Sequence, residues 1–307
     1  MLKRVGQRAL EAIPTLFIVA LITFIMVRMA PGGPFDTERE MSEEVRTALE
    51  ARYGLDRPVH EQFFNFISGA VSGNFGDSMS YPGWAVSEII AEKLPVSIEL
   101  GLYAIFVACG WGMATGVWAA TKPNTPRDYL TMAIAMLGIC LPTFVVGPLF
   151  VLSLSLNAEL FNASGWLTAS DRILPALTLG LYYAAYIARL SRGSMLEVLN
   201  HDYIRTARAK GASEWQVIMR HAMRNGLLPV ISFLGPAAAG LVTGSFVVET
   251  IFRIPGLGRF FVNSAFNRDY TMVMGTVLIY ASLIIAFNLL TEIVQAWLDP
   301  RQRKAEA

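Results

Sequence analysis

The residues of this chain with catalytic or metal-binding chemistry are three histidines, two cysteines and a small set of carboxylates at the edges of apolar runs. His60, His201 and His221 form no His-Glu-x-x-His pattern, so a zinc hydrolase site has no ligand set. Cys109 and Cys140 lie inside apolar stretches with no partner at disulfide or ligand spacing and read as small core residues. Ser164, in Asn162-Ala-Ser-Gly, would need a membrane histidine to become a nucleophile, and none is available. No Gly-x-x-x-x-Gly-Lys-Ser/Thr phosphate loop occurs, so the chain does not hydrolyse nucleotide by that route. Any ATP is spent by a partner, and an enzyme is not what these residues build.

Two other groups of residues carry more information. Glu99, Glu249 and Glu292 sit near the ends of apolar runs, where burying a carboxylate is costly and marks a candidate function. Glu99 and Glu292 read as acids at headgroup level, satisfied by arginine or water. Glu249 differs because it leads into Thr250-Ile-Phe-Arg-Ile-Pro-Gly-Leu-Gly-Arg-Phe-Phe, too broken by Pro255, Gly256 and Gly258 to cross a membrane. Irregular backbone at membrane depth needs protein or a water-filled cavity around it. A re-entrant turn at the outer end of a pathway meets that condition, with Glu249, Phe252, Pro255, Phe260 and Phe261 as its gate candidates.

The second group is the stretch from Arg189 to Asn225, too charged for lipid and too periodic for loop. Met195 to Ala209 is expected as one helix, ended by Gly211 in a left-handed cap position. Ser213 then caps a second helix, with Gln216 completing a capping box. In it Trp215, Ile218, Met219, Ala222 and Met223 fall on one stripe and Gln216, Arg220 and Arg224 on the other. A helix lying on anionic lipid would carry such arginines and a tryptophan, but Glu197, Asp202 and Glu214 interrupt the basic face and favour docking to a protein.

These residues must be positioned by membrane helices. Of 307 residues 54% are hydrophobic and only 16% charged, against about a quarter charged in soluble domains. Six runs are long enough to cross: Ala12 to Val27, Leu100 to Thr121, the uncharged stretch between Asp128 and Glu159, Ile173 to Ala188, Asn225 to Val248 and Tyr270 to Thr291. The first follows Lys3, Arg4 and Arg8 but lacks a cleavage site and is read as retained. With the N-terminus in the cytoplasm, the inner segments hold fifteen of the 25 Lys and Arg residues, including Arg301, Arg303 and Lys304 at the C-terminus. The segment from Pro31 to Pro95 carries five basic residues, Arg39 among them, against eleven acids from Asp36 to Glu92, and belongs outside.

The expected division is therefore 1–30 for the N-terminus and first helix, 31–95 for an outer segment, and 96–307 for the remaining five helices with an inner loop at 189–225. Within the outer segment, Ser42 to Arg52 and Val59 to Val71 read as short helices, Gly73 to Ser80 as turns, and Ala85 to Lys93 as an amphipathic helix feeding the second span. A small cap and a docking surface for an extracytoplasmic partner are equally consistent with it.

With these motifs in view, the chain resembles the membrane subunits of binding-protein-dependent ABC importers, in their peptide and nickel branch. Tyr203-Ile-Arg-Thr-Ala-Arg-Ala-Lys-Gly followed by Arg220-His-Ala-Met-Arg-Asn-Gly-Leu-Leu-Pro is similar to that branch's permease signature, with Arg205 where importers commonly carry Glu. Arg192-Gly-Ser-Met, Glu249-Thr-Ile-Phe, Pro255-Gly-Leu-Gly and Asn267-Arg-Asp-Tyr extend the likeness. Ala30-Pro-Gly-Gly-Pro, Tyr53-Gly-Leu-Asp-Arg-Pro and Gly73-Asn-Phe-Gly resemble the first of the two subunits in oligopeptide systems. The resemblance implies an all-α, six-helix type I importer permease in the bacterial inner membrane, with both termini cytoplasmic. It implies a second permease, two ATPase subunits that hold the ATP and magnesium, an extracytoplasmic peptide-binding protein and surrounding lipid. No cofactor and no nucleic acid would bind this chain. It makes the inner segment a coupling helix, with Arg205, Thr206, Ala207, Arg208, Lys210 and Gly211 seated against an ATPase. Dipeptides, murein peptides or nickel are alternative cargoes on the same architecture. A self-contained secondary transporter, the alternative from another class, would show two similar halves with matching broken helices, and no such repeat is found.

Overall fold

The computed structural model describes residues 2–35, 42–243 and 245–298. The expectations that involve Asp36, Arg39, Arg301, Arg303 and Lys304 lie outside the described residues. Fourteen α-helices account for nearly all the regular structure among the described residues, with two π-helical stretches and one 3₁₀ turn. The first is α1, Leu2–Met29, which carries Pro14. It is followed by α2 (Glu43–Arg52), α3 (Val59–Val71) and α4 (Val86–Ala120). Next come α5 (Pro126–Cys140), α6 (Thr143–Phe150) with a π stretch Val151–Asn157, and α7 (Ile173–Leu199) after a 3₁₀ turn. The rest are α8 (Asp202–Ala209), α9 (Glu214–Gln216), a π stretch Val217–Ala222, α10 (Met223–Gly226), α11 (Leu228–Thr243), α12 (Phe246–Ile251), α13 (Leu257–Phe266) and α14 (Tyr270–Leu298).

Five spans are long and apolar enough to cross a membrane, and a sixth is obtained if α5 and α6 with its π stretch are taken as one broken crossing. Large apolar side chains stay exposed along them, among them Ile18, Phe106, Trp111, Ile134 and Trp297. Such a surface would be an aggregation liability in water, but a bilayer is its natural solvent.

The boundaries correct several expectations. The stretch between Asp128 and Glu159 is not straight: it bends by 103° between Cys140 and Thr143. Pro142 supplies the reason, since the residue before a proline is pushed out of helical geometry, and Leu141 sits at ψ 115°. The second span does not begin at Leu100, because α4 runs unbroken from Val86 through Pro95 and absorbs the expected Ala85 to Lys93 helix. The fourth continues past Ala188 to Leu199. Cys140 is exposed and Cys109 half-buried, so neither is a core residue in the full sense. Two short helices between the first spans stand as expected. Ser42 Oγ accepts from the Val45 amide at 3.4 Å to cap α2, and α3 occupies Val59–Val71.

The chain divides into two compact units. One comprises Leu2–Ser97 with Pro255–Ile285, so the segment after the first span folds with α1, α13 and much of α14 rather than as a separate cap. Its core gathers Phe75, Val86, Ile89, Leu257 and Met272, with a second cluster where Phe63 meets Ala20, Phe24 and Met274. Buried Asp269 caps the start of α14, accepting from the Met272 amide at 3.0 Å. It also fixes the preceding loop by accepting from the Ser80 amide at 3.0 Å and from the Ser78 hydroxyl.

The other unit comprises Ile98–Ile254 with the described residues from Ala286 onward. Here α4 and α7 pack backbone to backbone. A Cβ at Gly112 would lie 2.6 Å from the Ala184 carbonyl oxygen, and one at Gly116 would meet the Ala188 carbonyl. Small residues at four-residue spacing let membrane helices approach this closely. Near the far end of α7, Arg192 clamps Asp128 of α5 with two hydrogen bonds of 2.5 and 2.6 Å. The Asn124 amide adds a third bond to the same carboxylate at 2.9 Å. At the other end of α7, Arg172 donates to Glu99 at 2.6 Å and Trp166 does so at 3.3 Å. Glu99 is thus satisfied by arginine.

Candidate functional site

The basic turn after α8 is built on a buried platform. Ala120 at the end of α4, Met195 and Val198 near the end of α7, Ile204 and Ala207 of α8, and Val217 and Ala222 of the following π stretch form one apolar cluster. Helix α7 and α8 are separate rather than one helix from Met195 to Ala209. The chain turns at Asn200 and His201, and His201 in extended geometry opens α8. Asp202 in the first turn and Arg208 in the last agree with the helix dipole.

The turn itself is tightly specified. Gly211 has φ +85°. The Gly211 amide donates to the Arg208 carbonyl at 2.9 Å and the Ala212 amide to the Ala207 carbonyl at 3.2 Å. This crossed pair is the Schellman arrangement that terminates a helix with a left-handed residue. Ser213 then starts α9 with both halves of the expected capping box: its amide donates to Gln216 Oε1 at 3.0 Å and its hydroxyl accepts from the Gln216 amide at 3.4 Å. Arg208 bridges the turn, donating to both oxygens of Glu214 at 2.8 and 3.1 Å. That contact holds the Glu214 carboxyl below the usual carboxylate range. Tyr203 adds a tie, since its hydroxyl accepts from Asn225 Nδ2 at 3.1 Å.

The expected coupling residues therefore separate into two sets. Arg205, Thr206, Arg208, Lys210 and Gly211 are exposed, whereas Ala207 is buried in the platform and presents nothing outward. Trp215 is 69% exposed and does not pack back on the subunit. Of the expected stripe, Ala222 does fill that place, with Ile218 and Met223 packed against it, and Val217 joins them from outside the stripe, while Met219 is exposed like Trp215. The physical reason is the π stretch, whose wider turn rotates the face away from the register that a regular 3.6-residue period gives. Among the described residues Arg205 meets only Asp202, at 3.5 Å with both side chains well exposed. Lys210 meets no acid among the described residues. What the turn offers is a rigid, mainly cationic knob, suited to a groove with acidic walls and carrying no hydrolytic chemistry.

The gate candidates fall in both units. In the unit of Ile98–Ile254, Glu249 is fully buried and its Oε1 accepts from the Ser245 hydroxyl at 2.5 Å. Helix α12 closes through Arg253 at φ +53°, with the Ile254 amide on the Glu249 carbonyl at 2.8 Å. Phe252 is buried, and its carbonyl accepts from the Gly165 amide at 2.9 Å. In the other unit, Pro255 is exposed and the Leu257 amide is capped by Ser97 Oγ at 2.9 Å. Phe260 packs 5.4 Å from Tyr81 and lies under Lys93, and Phe261 meets Tyr280 at 5.9 Å. Each half is thus anchored in its own unit.

Sequence reasoning missed the Asp128–Arg192 clamp as a site feature, although Asp128 was visible as a span boundary and Arg192 in the Arg192-Gly-Ser-Met match. They stand 64 positions apart, and no local spacing links them.

Residues 112–304 match the family described as the binding-protein-dependent transport system inner membrane component. Residues 1–101 match its companion, the N-terminal region of such membrane components. The oligopeptide transport system permease protein OppB of Escherichia coli (strain K12) is 45% identical over 305 residues, which covers 99% of this chain and 100% of that protein. The dipeptide transport system permease protein DppB of Bacillus subtilis (strain 168) is 41% identical over 287 residues, 94% of this chain and 93% of that one. Among solved structures, the inward-facing MetNI methionine ABC transporter aligns with a TM-score of 0.58 at 17% identity, covering 69% of this chain and 96% of that one. That likeness concerns the fold alone, which is the helical membrane fold of type I importer permeases. The chain belongs to the family of inner membrane components of binding-protein-dependent transport systems.

Proposed function

We propose that this chain is one of two membrane subunits of an ATP-driven oligopeptide importer. The observation that carries the reading is the 45% identity to an oligopeptide permease over essentially the whole of both chains. In this reading the chain lies in a bacterial cytoplasmic membrane with both termini inside, and contributes half of the pathway. A second permease, two ATPase subunits that bind ATP and magnesium, and an extracytoplasmic peptide-binding protein complete the complex. The turn Arg205–Gly211 seats in an ATPase groove, and the rigidity of its Schellman cap and Arg208–Glu214 bridge supports that role. The stretch from Glu249 to Phe261 acts in outer closure. Dipeptides are the second cargo to test, because a dipeptide permease is 41% identical.

The experiment is affinity purification through this chain from native membranes, followed by reconstitution and ATP-dependent uptake of labelled tri- to pentapeptides with dipeptide and nickel as competitors. Recovery of a second permease and ATPases, with uptake competed by oligopeptides, is the expected result. Flux through this chain alone without ATPase partners would overturn the reading.

A further inference from the structure

The end of α1 remote from the N-terminus borders a cavity of about 360 Å³ inside the unit of Leu2–Ser97 and Pro255–Ile285. Arg28, Arg52 and Arg57 line it, and among the described residues no carboxylate does. This composition runs against the local balance, since residues 31–95 carry eleven acids and five basic residues. Arg52 is answered by Asp77 at 3.6 Å. Arg28 is half-buried and meets no acid among the described residues.

The Arg28 guanidinium is nevertheless held in place. It lies 4.3 Å over the Phe24 ring and 5.9 Å from the centre of Tyr270, and its Nη2 donates to Gln62 Oε1. Gln62 is oriented for that contact because its own Nε2 donates to the carbonyls of Leu55 and Arg57, at 3.1 and 2.6 Å. A guanidinium has five N–H donors in a fixed fork, and the fork geometry fits two oxygens of a phosphate or carboxylate. A partly desolvated cation without a counter-charge is costly, so an oxyanion entering this cavity gains what the described residues leave unanswered.

We propose that this cavity binds a phosphate-class oxyanion, with Arg28 as the central donor and Arg57 at the rim, supplied by an anionic phospholipid headgroup or free in solution. The headgroup source is favoured by position. Arg28 ends the span Gly6–Met29, at the depth where headgroups lie. Ile22, Ile25 and Met26, one to two turns away on the same helix, expose an apolar track for an acyl chain.

The test uses the full chain purified in detergent with the subunits that accompany it, delipidated and then offered dioleoyl phosphatidylglycerol or inorganic phosphate. Native mass spectrometry reads lipid retention and calorimetry reads phosphate binding. One retained phosphatidylglycerol, bound about tenfold or more weakly by Arg28→Gln and more weakly by Arg57→Gln, supports the lipid source. Saturable phosphate binding with the same losses and no lipid retention supports the free anion. Arg28→Lys, which keeps the charge, should retain more binding than Arg28→Gln, and the exposed Arg57 serves if Arg28→Gln does not fold. Equal binding by wild type and variants, or no binding of either probe, overturns the proposal. So does binding that appears only after Asp36→Asn, Glu38→Gln and Glu40→Gln, because the chain's own acids would then be the occupant.

Discussion

Removing Asp128 tests how the platform beneath the basic turn is held. Its side chain is 1% exposed and accepts three hydrogen bonds, two from Arg192 and one from the Asn124 amide. Arg192 is 27% exposed and sits one turn before Met195, which is part of the platform. Asp128→Ala strands the guanidinium and frees the start of α5. Breaking a buried pair from one side costs about 3–5 kcal/mol. The partial exposure of Arg192 places this site at the lower end, about 3 kcal/mol, or roughly a hundredfold in the folded ratio. The double variant Asp128→Ala with Arg192→Met leaves no stranded charge and should recover at least half of that loss. Denaturant titration of the purified chain gives the four corners of the cycle, and ATP-dependent uptake shows whether transport falls with stability or further. Single variants each within about 0.5 kcal/mol of wild type, or a double variant equal to the sum of the singles, would refute the clamp.

Gly211→Val forces a β-branched residue to φ +85° in otherwise open space, a local cost of about 1–2 kcal/mol; uptake should be lost while the subunit stays inserted, as fractionated membranes would show. Gly116→Val drives a side chain into the Ala188 carbonyl and, at 2.6 Å, into Ser191, so the yield of folded subunit should drop, whereas Gly193→Ala, with nothing within 4 Å, should be neutral in the same size-exclusion assay. The Arg208–Glu214 bridge predicts a flat acid response. A carboxylate whose folded value is depressed stabilises above its unfolded value and loses that contribution as pH falls through the folded one. The turn should therefore be unaffected by this contact between about pH 5 and 8 and weaken only below about pH 4, by under about 1 kcal/mol since Glu214 is 66% exposed; Glu214→Gln should abolish the acid response in a melting curve. Phe260→Asp replaces a ring packed on Tyr81 and should give ATPase activity that no longer needs the binding protein, while fully dependent activity would count against a gate.

Much of this architecture was legible because lipid imposes simple rules: apolar runs marked the crossings, and Ser42, Gly211 and the Ser213–Gln216 box marked helix ends through local chemistry. What stayed hidden lacked a local signature or needed a weak one. Pro142 was the only mark of the 103° break, and a run without charge offered no other. The π stretch at Val217–Ala222 changes the period without any residue that announces it, so Trp215 was placed on the wrong face. Ala207 looked like a slim docking residue because alanine is silent about which side it faces. The partnership of α4 and the loop before it with α13 and the start of α14 depends on contacts such as Ser97 with Leu257 and Ser78 with Asp269, 160 and 191 positions apart.

The coupling assignment is tested most directly by a photo-crosslinking side chain placed at Lys210 in the native complex. The exposed turn predicts an adduct to an ATPase subunit from Lys210, and none from a side chain placed at the buried Ala207. Adducts to lipid alone from Lys210, with the ATPase subunits present and active, would contradict the account.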